Sequence, residues 1–441
     1  MDLRTPMNVQ ELQRALHAKA KKEPKYRFYA LYDKVYRRDV LGYAYEQCYA
    51  NAGAPGVDGQ TFEDIETYGR ERWLGELARD LVGKTYRSGA VRRVWIPKAN
   101  GSQRPIGIPT IRDRTVEMAV LTVISPVFEA DLQPEQYGYR EGRGALEAVR
   151  EVHRLINEGH REVVDADLSG YFDSIPHGAL MKSIARRICD KEVLRLIKMW
   201  LDRAVEERGK KGKWQRTTRN KDEHKGIPQG SPISPLLSNI YMRRFVLGWK
   251  TQGMERKLDA HVINYADDFV ICCRGTAIKA ERAMRDIMGR IGLRVNEEKT
   301  HVRYMPEESV EFLGYTIGQC YSTQTGRSYI GTKPAKKRVQ RICQEVYEQT
   351  TRKTLCREVE DVVKSLNRQL RGWANYFCLG PVSKAYRAVD TYVTHRLRQW
   401  LCRKHKKAGR GTSRYPANYL YQTLGLIRLP ELTRSFSWAK A

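Results

Sequence analysis

The chain has 441 residues, enough for two or three domains with cores of their own, which excludes a tail or linker protein. Its 79 Lys and Arg against 51 Asp and Glu leave a net charge of +28, and basic residues interleaved with Tyr and Trp point to a nucleic acid rather than a membrane surface. No apolar run approaches the roughly 20 residues of a membrane span, and the start MDLRTPMNVQ has no signal-peptide core, so a soluble cytoplasmic protein with no membrane partner is expected.

Residues 1–50 are helical in pattern: Leu12, Ala15, Leu16 and Ala20 recur at helical spacing, and a second amphipathic stretch runs from Tyr29 to Ala50. Asn51 to Gly59, NAGAPGVDG, is a Gly-rich loop that ends it. Arg92 to Ile108 reads as two strands joined through Ala99-Asn100-Gly101-Ser102, where Asn-Gly supplies the positive φ angles of a tight hairpin. Lys98 and Arg104 flank that turn. Cations on a short, stiff hairpin suit a triphosphate, Lys as a point charge and Arg as a bidentate fork, and a basic hairpin without a ligand is the alternative. Thr115 to Val127 reads as a largely buried helix, Tyr137 to Arg140 as a turn, and Ala145 to Glu158 as a helix with Ala145, Val149, Val152, His153 and Ile156 on one face. His153 is then a core-edge residue, and the other histidines show no metal-ligand spacing.

Glu162 to Ile175, EVVDADLSGYFDSI, begins as a strand that delivers Asp167 at its C-terminal end, before a Ser169-Gly170 turn. Asp173 reads as structural, and Phe172 on its own residues as a core aromatic. Lys225 to Met242, KGIPQGSPISPLLSNIYM, is a Gly/Pro loop passing into a helix, with Ser234 as the expected N-cap and Pro235 at the first helical position. Gly226 and Gly230 let backbone approach a ligand, and Gln229 can donate and accept toward a nucleotide or template base. In His261 to Cys273, HVINYADDFVICC, two β-branched apolar runs flank Asp267 and Asp268, which reads as a hairpin with both acids at its turn. A carboxylate pair between half-buried runs is costly unless a cation compensates it, and a solvated Asp-Asp turn is the alternative. Together with Asp167 the pair could bracket two Mg²⁺ ions, roughly 3.5–4 Å apart in two-metal sites, as in-line phosphoryl transfer requires. The nine cysteines include no C-x-x-C pair and support neither a disulfide framework nor a zinc site; they read as small buried hydrophobes.

Composition shifts at about Gly331: residues 331–441 hold 24 Lys and Arg against 7 Asp and Glu, a net +17. Val339, Ile342, Cys343 and Val346, then Val362, Leu366, Leu370 and Trp373, then Val389, Val393, Leu397 and Trp400 mark three amphipathic helices, hence a small bundle. Arg403 to Arg414, RKHKKAGRGTSR, reads as a basic loop whose Arg403, Lys404, Lys406, Lys407 and Arg410 track phosphates without reading sequence.

In chain order, RRVWIPKANGSQRPIGIPTIRDR, DLSGYFDSI, GIPQGSPISPLLSNIYM, NYADDFVI, GLRVNEEKTHV, FLGYTI and LRGWANYF resemble the successive motifs of reverse transcriptases, specifically those of bacterial group II introns. The resemblance spans almost the whole chain. It implies an α+β right-hand polymerase: N-terminal extension and fingers over 1–130, a palm with an antiparallel sheet over 131–322, and an all-α thumb or maturase domain over 323–441. The implied activity is RNA-directed DNA synthesis, extending a DNA primer or target with dNTPs on an RNA template, together with maturase binding to a group II intron RNA. Asp167, Asp267 and Asp268 match the acids that hold two Mg²⁺ ions, and Lys98 and Arg104 match the triphosphate-binding positions. Lys299 matches a motif lysine near the triphosphate, placed to neutralise or protonate the leaving pyrophosphate. Phe172 matches the aromatic beneath the incoming sugar, where a 2′-hydroxyl would collide, and Phe312-Leu313-Gly314-Tyr315 resembles the primer grip. Many members add a Cys-rich endonuclease domain at the C-terminus, and the chain is expected to be the form lacking it. Two alternatives stay open: the same chemistry in a host role such as CRISPR spacer acquisition, phage defence or repair, and an RNA-binding splicing factor that does not polymerise.

Overall fold

The computed structural model describes residues 5–97, 101, 103–209, 214–322 and 324–432. Its N-terminal part is organised on the helix Ile111–Glu129, which is apolar all round and accordingly buried all round, with Val116, Ala119, Val120, Val123, Ile124 and Val127 fully enclosed. Thr110 caps it, its hydroxyl accepting from the Asp113 N–H at 3.0 Å. The helices Met7–Lys22 and Arg38–Ala50 lie against it. The continuous helix expected from Tyr29 to Ala50 is instead broken into Tyr32–Val35 and Arg38–Ala50. The Asp190 carboxylate accepts from both the Leu31 and Tyr32 N–H groups at 2.8 Å, which pins the start of the first turn, and Arg37 is extended where it pairs with Asp39.

Four strands form the first sheet: β1 (Val91–Pro97), β2 (Gln103–Ile108), β4 (Val205–Arg208) and β5 (Trp214–Thr217), in the order β2-β1-β4-β5. The antiparallel pairing of β1 with β2 is the expected one, the turn residues Ala99, Asn100 and Ser102 lying outside the described residues, but β1 also pairs in parallel with β4, Val91 opposite Val205. β4 and β5, which fall within the range 131–322 expected for the palm, thus share a sheet with the β1–β2 hairpin.

The second sheet is built from β3 (Glu162–Ala166), β6 (Ala260–Tyr265), β7 (Asp268–Cys273) and β8 (His301–Tyr304), antiparallel at every pairing, in the order β6-β7-β3-β8. Its strands β6 and β7 are apolar on both faces because both are covered, whereas the edge strand β8 is largely open to solvent. Val164, Phe269, Ile271 and Cys273 join the main core with the helices Ser234–Thr251 and Ala277–Arg290, whereas Val163, Ile263, Val270 and Cys272 face the helix Ala145–Asn157. Helix Ser234–Thr251 departs from expectation at its start. Ser234 is its first residue rather than its cap, and the Ser234 hydroxyl donates to the Pro228 carbonyl at 2.7 Å, tying the preceding loop down.

The third sheet, β9 (Val310–Phe312), β10 (Tyr315–Tyr321) and β11 (Ser328–Pro334), is an antiparallel meander behind the second. It straddles the boundary expected at 322, since β10 and β11 pair along seven residues. The helices Lys336–Gln349, Val359–Tyr376 and Ser383–Lys404 follow and share one core that includes Val346, Leu366, Val393 and Trp400, the expected bundle. The Tyr376 hydroxyl donates to the Leu313 carbonyl at 2.8 Å and the Tyr315 hydroxyl to the Tyr376 carbonyl, which fastens the bundle to the third sheet. All nine cysteines are free, with Cys48, Cys272, Cys273, Cys378 and Cys402 buried. Among the described residues no helix is long and apolar enough to cross a membrane.

Candidate active site

Asp167 follows directly on β3, and the sheet edge alone does not hold it. The Asp167 carbonyl accepts from the Asn296 N–H at 2.8 Å, its own N–H donates to the Thr300 hydroxyl at 3.4 Å, and its carboxylate accepts from Asn296 Nδ2 at 3.1 Å and from Lys299 Nζ at 3.0 Å. The loop after the helix Ala277–Arg290 thus clamps this residue at backbone and side chain. Sequence reasoning missed Asn296 and Thr300, although both stand in the VNEEKT segment that flanks Lys299.

Asp267 and Asp268 sit at the tip of the β6–β7 hairpin, where Tyr265 pairs with Asp268 across a two-residue turn and Ala266 takes φ +58°. An Ala at positive φ needs outside support. Asn264 Nδ2 donates to the Ala266 carbonyl at 2.8 Å, and the backbone of Asn264 exchanges hydrogen bonds with Glu135 and Tyr137. Gly138 lies so close that a Cβ there would stand 2.7 Å from the Ala266 nitrogen. The Tyr137 to Arg140 turn is thereby the buttress of the acidic turn, which its sequence alone did not disclose.

The three carboxylates act on one another. At the tip, desolvation by the surrounding protein, followed by the charges of Asp267 and Asp167, pushes the Asp268 carboxyl up to about 6 against the opposing pull of Lys299 and Arg338. Asp165, two residues before Asp167, is pushed up to about 7 by burial, with Asp268 and Asp167 adding to it and Arg303 opposing. Negative charge at this spot outruns the cations beside it. An all-carboxylate donor set of this kind fits a hard divalent cation.

The nucleotide-binding candidates fall in three places. Arg104, on β2, donates through Nε to Gln229 Oε1 at 3.0 Å, which joins the fingers hairpin to the loop after Lys225. The backbones touch as well: the Gly107 N–H donates to the Gln229 carbonyl at 2.6 Å, and a Cβ on Gly230, at φ +103°, would lie 2.5 Å from the Gly107 oxygen. Gly230 therefore admits a neighbouring strand, where sequence reasoning assigned it to a ligand. Lys98 lies outside the described residues. Phe172 is 6% exposed and belongs to the main core, its ring 5.6 Å from that of Tyr171 and its carbonyl accepting from the Ile227 N–H at 2.7 Å. Lys299 stands on Asp167 itself, with much of its side chain in solvent. Beside the Leu313 turn, a cavity of about 260 Å³ is lined by Leu313, Arg338, Ile342, Trp373, Tyr376 and Phe377.

In the basic segment the expectation is corrected at its start. Arg403 and Lys404 form the last turn of the helix Ser383–Lys404, and Lys404 Nζ donates to the carbonyls of Leu355 at 3.2 Å and Arg357 at 2.7 Å while lying over the Trp400 ring. Two of its three donors are taken inside the bundle. Arg403, Lys406, Lys407 and Arg410 are exposed.

Residues 96–317 match the family described as Reverse transcriptase (RNA-dependent DNA polymerase), and 339–416 match the Group II intron, maturase-specific domain. The chain is 31% identical over 380 residues to Protein YkfC of Escherichia coli, an alignment covering 75% of this chain and 94% of that protein. It is 27% identical over 353 residues to the Group II intron-encoded protein LtrA of Lactococcus lactis, covering 66% of this chain and 57% of the relative's length. With the Putative COX1/OXI3 intron 1 protein of Saccharomyces cerevisiae it shares 25% identity over 336 residues, 63% of this chain and 38% of that one.

Proposed function

Since the chain belongs to the reverse transcriptase family and carries a group II intron maturase-specific domain behind its polymerase region, we propose that it extends a DNA primer with dNTPs on an RNA template in the cytoplasm and also binds a group II intron RNA for splicing and mobility. The observation that carries this reading is the gathering of Asp167, Asp267 and Asp268 from the end of one strand and the turn of its neighbouring hairpin, close enough that the charges of Asp267 and Asp167 help raise the Asp268 carboxyl. Reverse transcriptases use divalent metal, and these three carboxylates would hold two Mg²⁺ ions. When bound they supply activation of the primer hydroxyl and neutralisation of charge on the phosphate oxygens.

The protein's own groups do the placing. Asn296 and Thr300 fix the orientation of Asp167, and Asn264 fixes that of Asp267 and Asp268, so little reorganisation remains when substrate arrives. Arg104, held against Gln229, presents its remaining N–H groups toward the triphosphate, and Lys98 on the same hairpin adds a second positive charge. Lys299 has the reach to leave Asp167 and hold a proton for the departing pyrophosphate. The exposed edge of Phe172 closes the space that a 2′-hydroxyl would need. The Leu313 turn and the cavity beside it seat the 3′ end of the primer. Arg403, Lys406, Lys407 and Arg410 grip RNA phosphates.

The test is primer extension on an annealed DNA primer and RNA template with Mg²⁺ and dNTPs. Template-dependent extension is expected from the native chain and none from Asp267→Asn, with RNA affinity nearly equal in the two. A native protein that binds intron RNA tightly and extends no primer would replace the polymerase reading with that of a splicing factor.

A further inference from the structure

At the far end of the palm sheet from the three acids, His160, Asp259 and His261 come together. Their nitrogens and oxygens lie within 4.8 Å of one another, although 99 residues separate the first two in sequence. His160 precedes β3 and is buried, Asp259 precedes β6 and is exposed, and His261 is on β6 and half-buried. Sequence reasoning found no metal-ligand spacing among the histidines because this cluster is made only by the sheet: β3 and β6 run side by side with β7 between them.

The protons at this cluster are accounted for elsewhere. His160 Nδ1 stands 3.2 Å from the Leu155 carbonyl, an acceptor only, so that nitrogen carries the hydrogen and Nε2 carries the lone pair of the neutral ring. His261 Nδ1 is 3.0 Å from Glu255 Oε1, which imposes the same tautomer. Both Nε2 atoms face one oxygen, Asp259 Oδ1, at 3.1 Å from His160 and 3.7 Å from His261. With both rings neutral, three lone pairs converge on one spot, and a cation between them, a metal ion or a proton, relieves their repulsion. Ligands about 2.0–2.1 Å from a tetrahedral ion stand about 3.3 Å apart, and the two measured separations bracket that value. The other carboxylate oxygen is occupied differently: Arg274 Nε lies 3.6 Å from Asp259 Oδ2 and its terminal nitrogen donates to the Glu158 carbonyl, which holds the carboxylate with Oδ1 toward the histidines. A ring nitrogen on the ligand side, with the opposite nitrogen donating to a carboxylate or carbonyl, is how protein metal sites orient histidine.

We propose that His160 Nε2, His261 Nε2 and Asp259 Oδ1 form a binding site for one borderline divalent transition ion of the Zn²⁺ or Co²⁺ class, with an open coordination position filled by water. Glu255 and the Leu155 carbonyl orient the two rings from behind. The donor set separates this site from the catalytic acids, since two imidazoles select Zn²⁺ or Co²⁺ where an all-oxygen set selects Mg²⁺. A five-residue strand spans roughly 17 Å, so the two sites stand at opposite ends of β3 without sharing a ligand. The ion would cross-link the start of β3 to the start of β6, a tie that hydrogen bonds to β7 make only indirectly. The competing occupant is a proton, which would turn one ring into an imidazolium paired with Asp259.

Untagged full-length protein is titrated with Co²⁺ in the presence of excess Mg²⁺, which keeps the catalytic acids filled, and the visible absorption of bound Co²⁺ is followed. One equivalent is expected to bind, to be displaced by Zn²⁺, and to raise the melting temperature. Asp259→Gly is the first variant, because Asp259 is exposed and sits at φ +44°, where glycine is at ease. His261→Gln is the second, chosen over His160, whose burial makes its removal a folding risk. Both should lose saturable Co²⁺ binding and the thermal shift, Glu255→Gln should bind about 10–100-fold more weakly, and Asp267→Asn should bind as the native chain does. Absence of saturable binding in the native protein, or Co²⁺ affinity unchanged in folded Asp259→Gly and His261→Gln, would overturn the proposal in favour of a protonated His–Asp pair. None of these readouts depends on polymerase activity.

Discussion

At the scale of single residues, the acidic turn was legible because its chemistry is local: Asp267 and Asp268 lie between apolar runs that can only be strands. What holds those acids was not legible, since Asn296 and Thr300 reach Asp167 across 129 and 133 residues. The raised carboxyl of Asp268 carries a pH prediction. With its proton retained up to about 6, a cation must compete with that proton below this value and meets an ionised ligand above it. The Mg²⁺ concentration for half-maximal primer extension should therefore rise as pH is lowered from 7.5 to 5.5, and more steeply than that of Asp268→Asn if the variant retains measurable activity. A half-saturation point that stays level would separate Asp268 from the metal. Phe172 carries a second prediction. Replacing it by Val should raise ribonucleotide use relative to deoxyribonucleotide, read as the ratio of kcat/KM values. Since the ring belongs to the core, stability should also fall, by less than the roughly 3–5 kcal/mol of a Phe→Ala deletion. A core role alone would lower stability and leave the ratio where it was.

At the scale of elements, helix periods and hairpins read correctly where the pattern was long, as in the three bundle helices, and failed where a distant side chain intervened. Asp190 captures the Leu31 and Tyr32 amides and so fixes where the second N-terminal helix begins, a contact from 158 residues away that no local feature announces, while the break itself falls at Arg37 beside its Asp39 partner. The end of the helix Ser383–Lys404 is the more instructive case. Lys404 counts as a basic-loop residue by composition, yet its ammonium closes two carbonyls of the 352–357 turn, whereas Lys406, Lys407 and Arg410 extend from the bundle surface into solvent. Lys404→Ala should thus lower the melting temperature and change RNA affinity little. The triple variant Lys406→Ala, Lys407→Ala, Arg410→Ala should keep its melting temperature and weaken RNA binding, with the slope of log affinity on log salt falling by roughly 0.7–0.9 for each phosphate that the variant no longer neutralises. Equal slopes for native and triple-variant protein would move the RNA-gripping surface elsewhere on the bundle.

At the scale of the whole molecule, three sheets and a helical bundle are joined by pairings that skip far along the chain, and sheet partners so far apart cannot be read from local composition. The charge shift near Gly331 is real, but β10 and β11 pair across the boundary placed at 322, and Tyr315 and Tyr376 bind the bundle back to that meander. The larger displacement is in the fingers, whose central strand β1 has β2 on one side and β4, more than a hundred residues later, on the other. This has a consequence for synthesis. While the polypeptide leaves the ribosome from its N-terminus, β1 is made long before β4, and until β4 emerges the edge of β1 at Val91 to Arg93 carries open backbone donors and acceptors. A chain truncated after residue 200 should then be recovered as aggregate and one truncated after residue 322 in larger soluble yield, as centrifugation of matched lysates would measure. Equal solubility of the two would mean that the nascent edge is protected by other means. The pairing of β1 with β4 makes the nascent fingers wait for the palm, and a chaperone that shields an unpaired strand has its longest task in that interval.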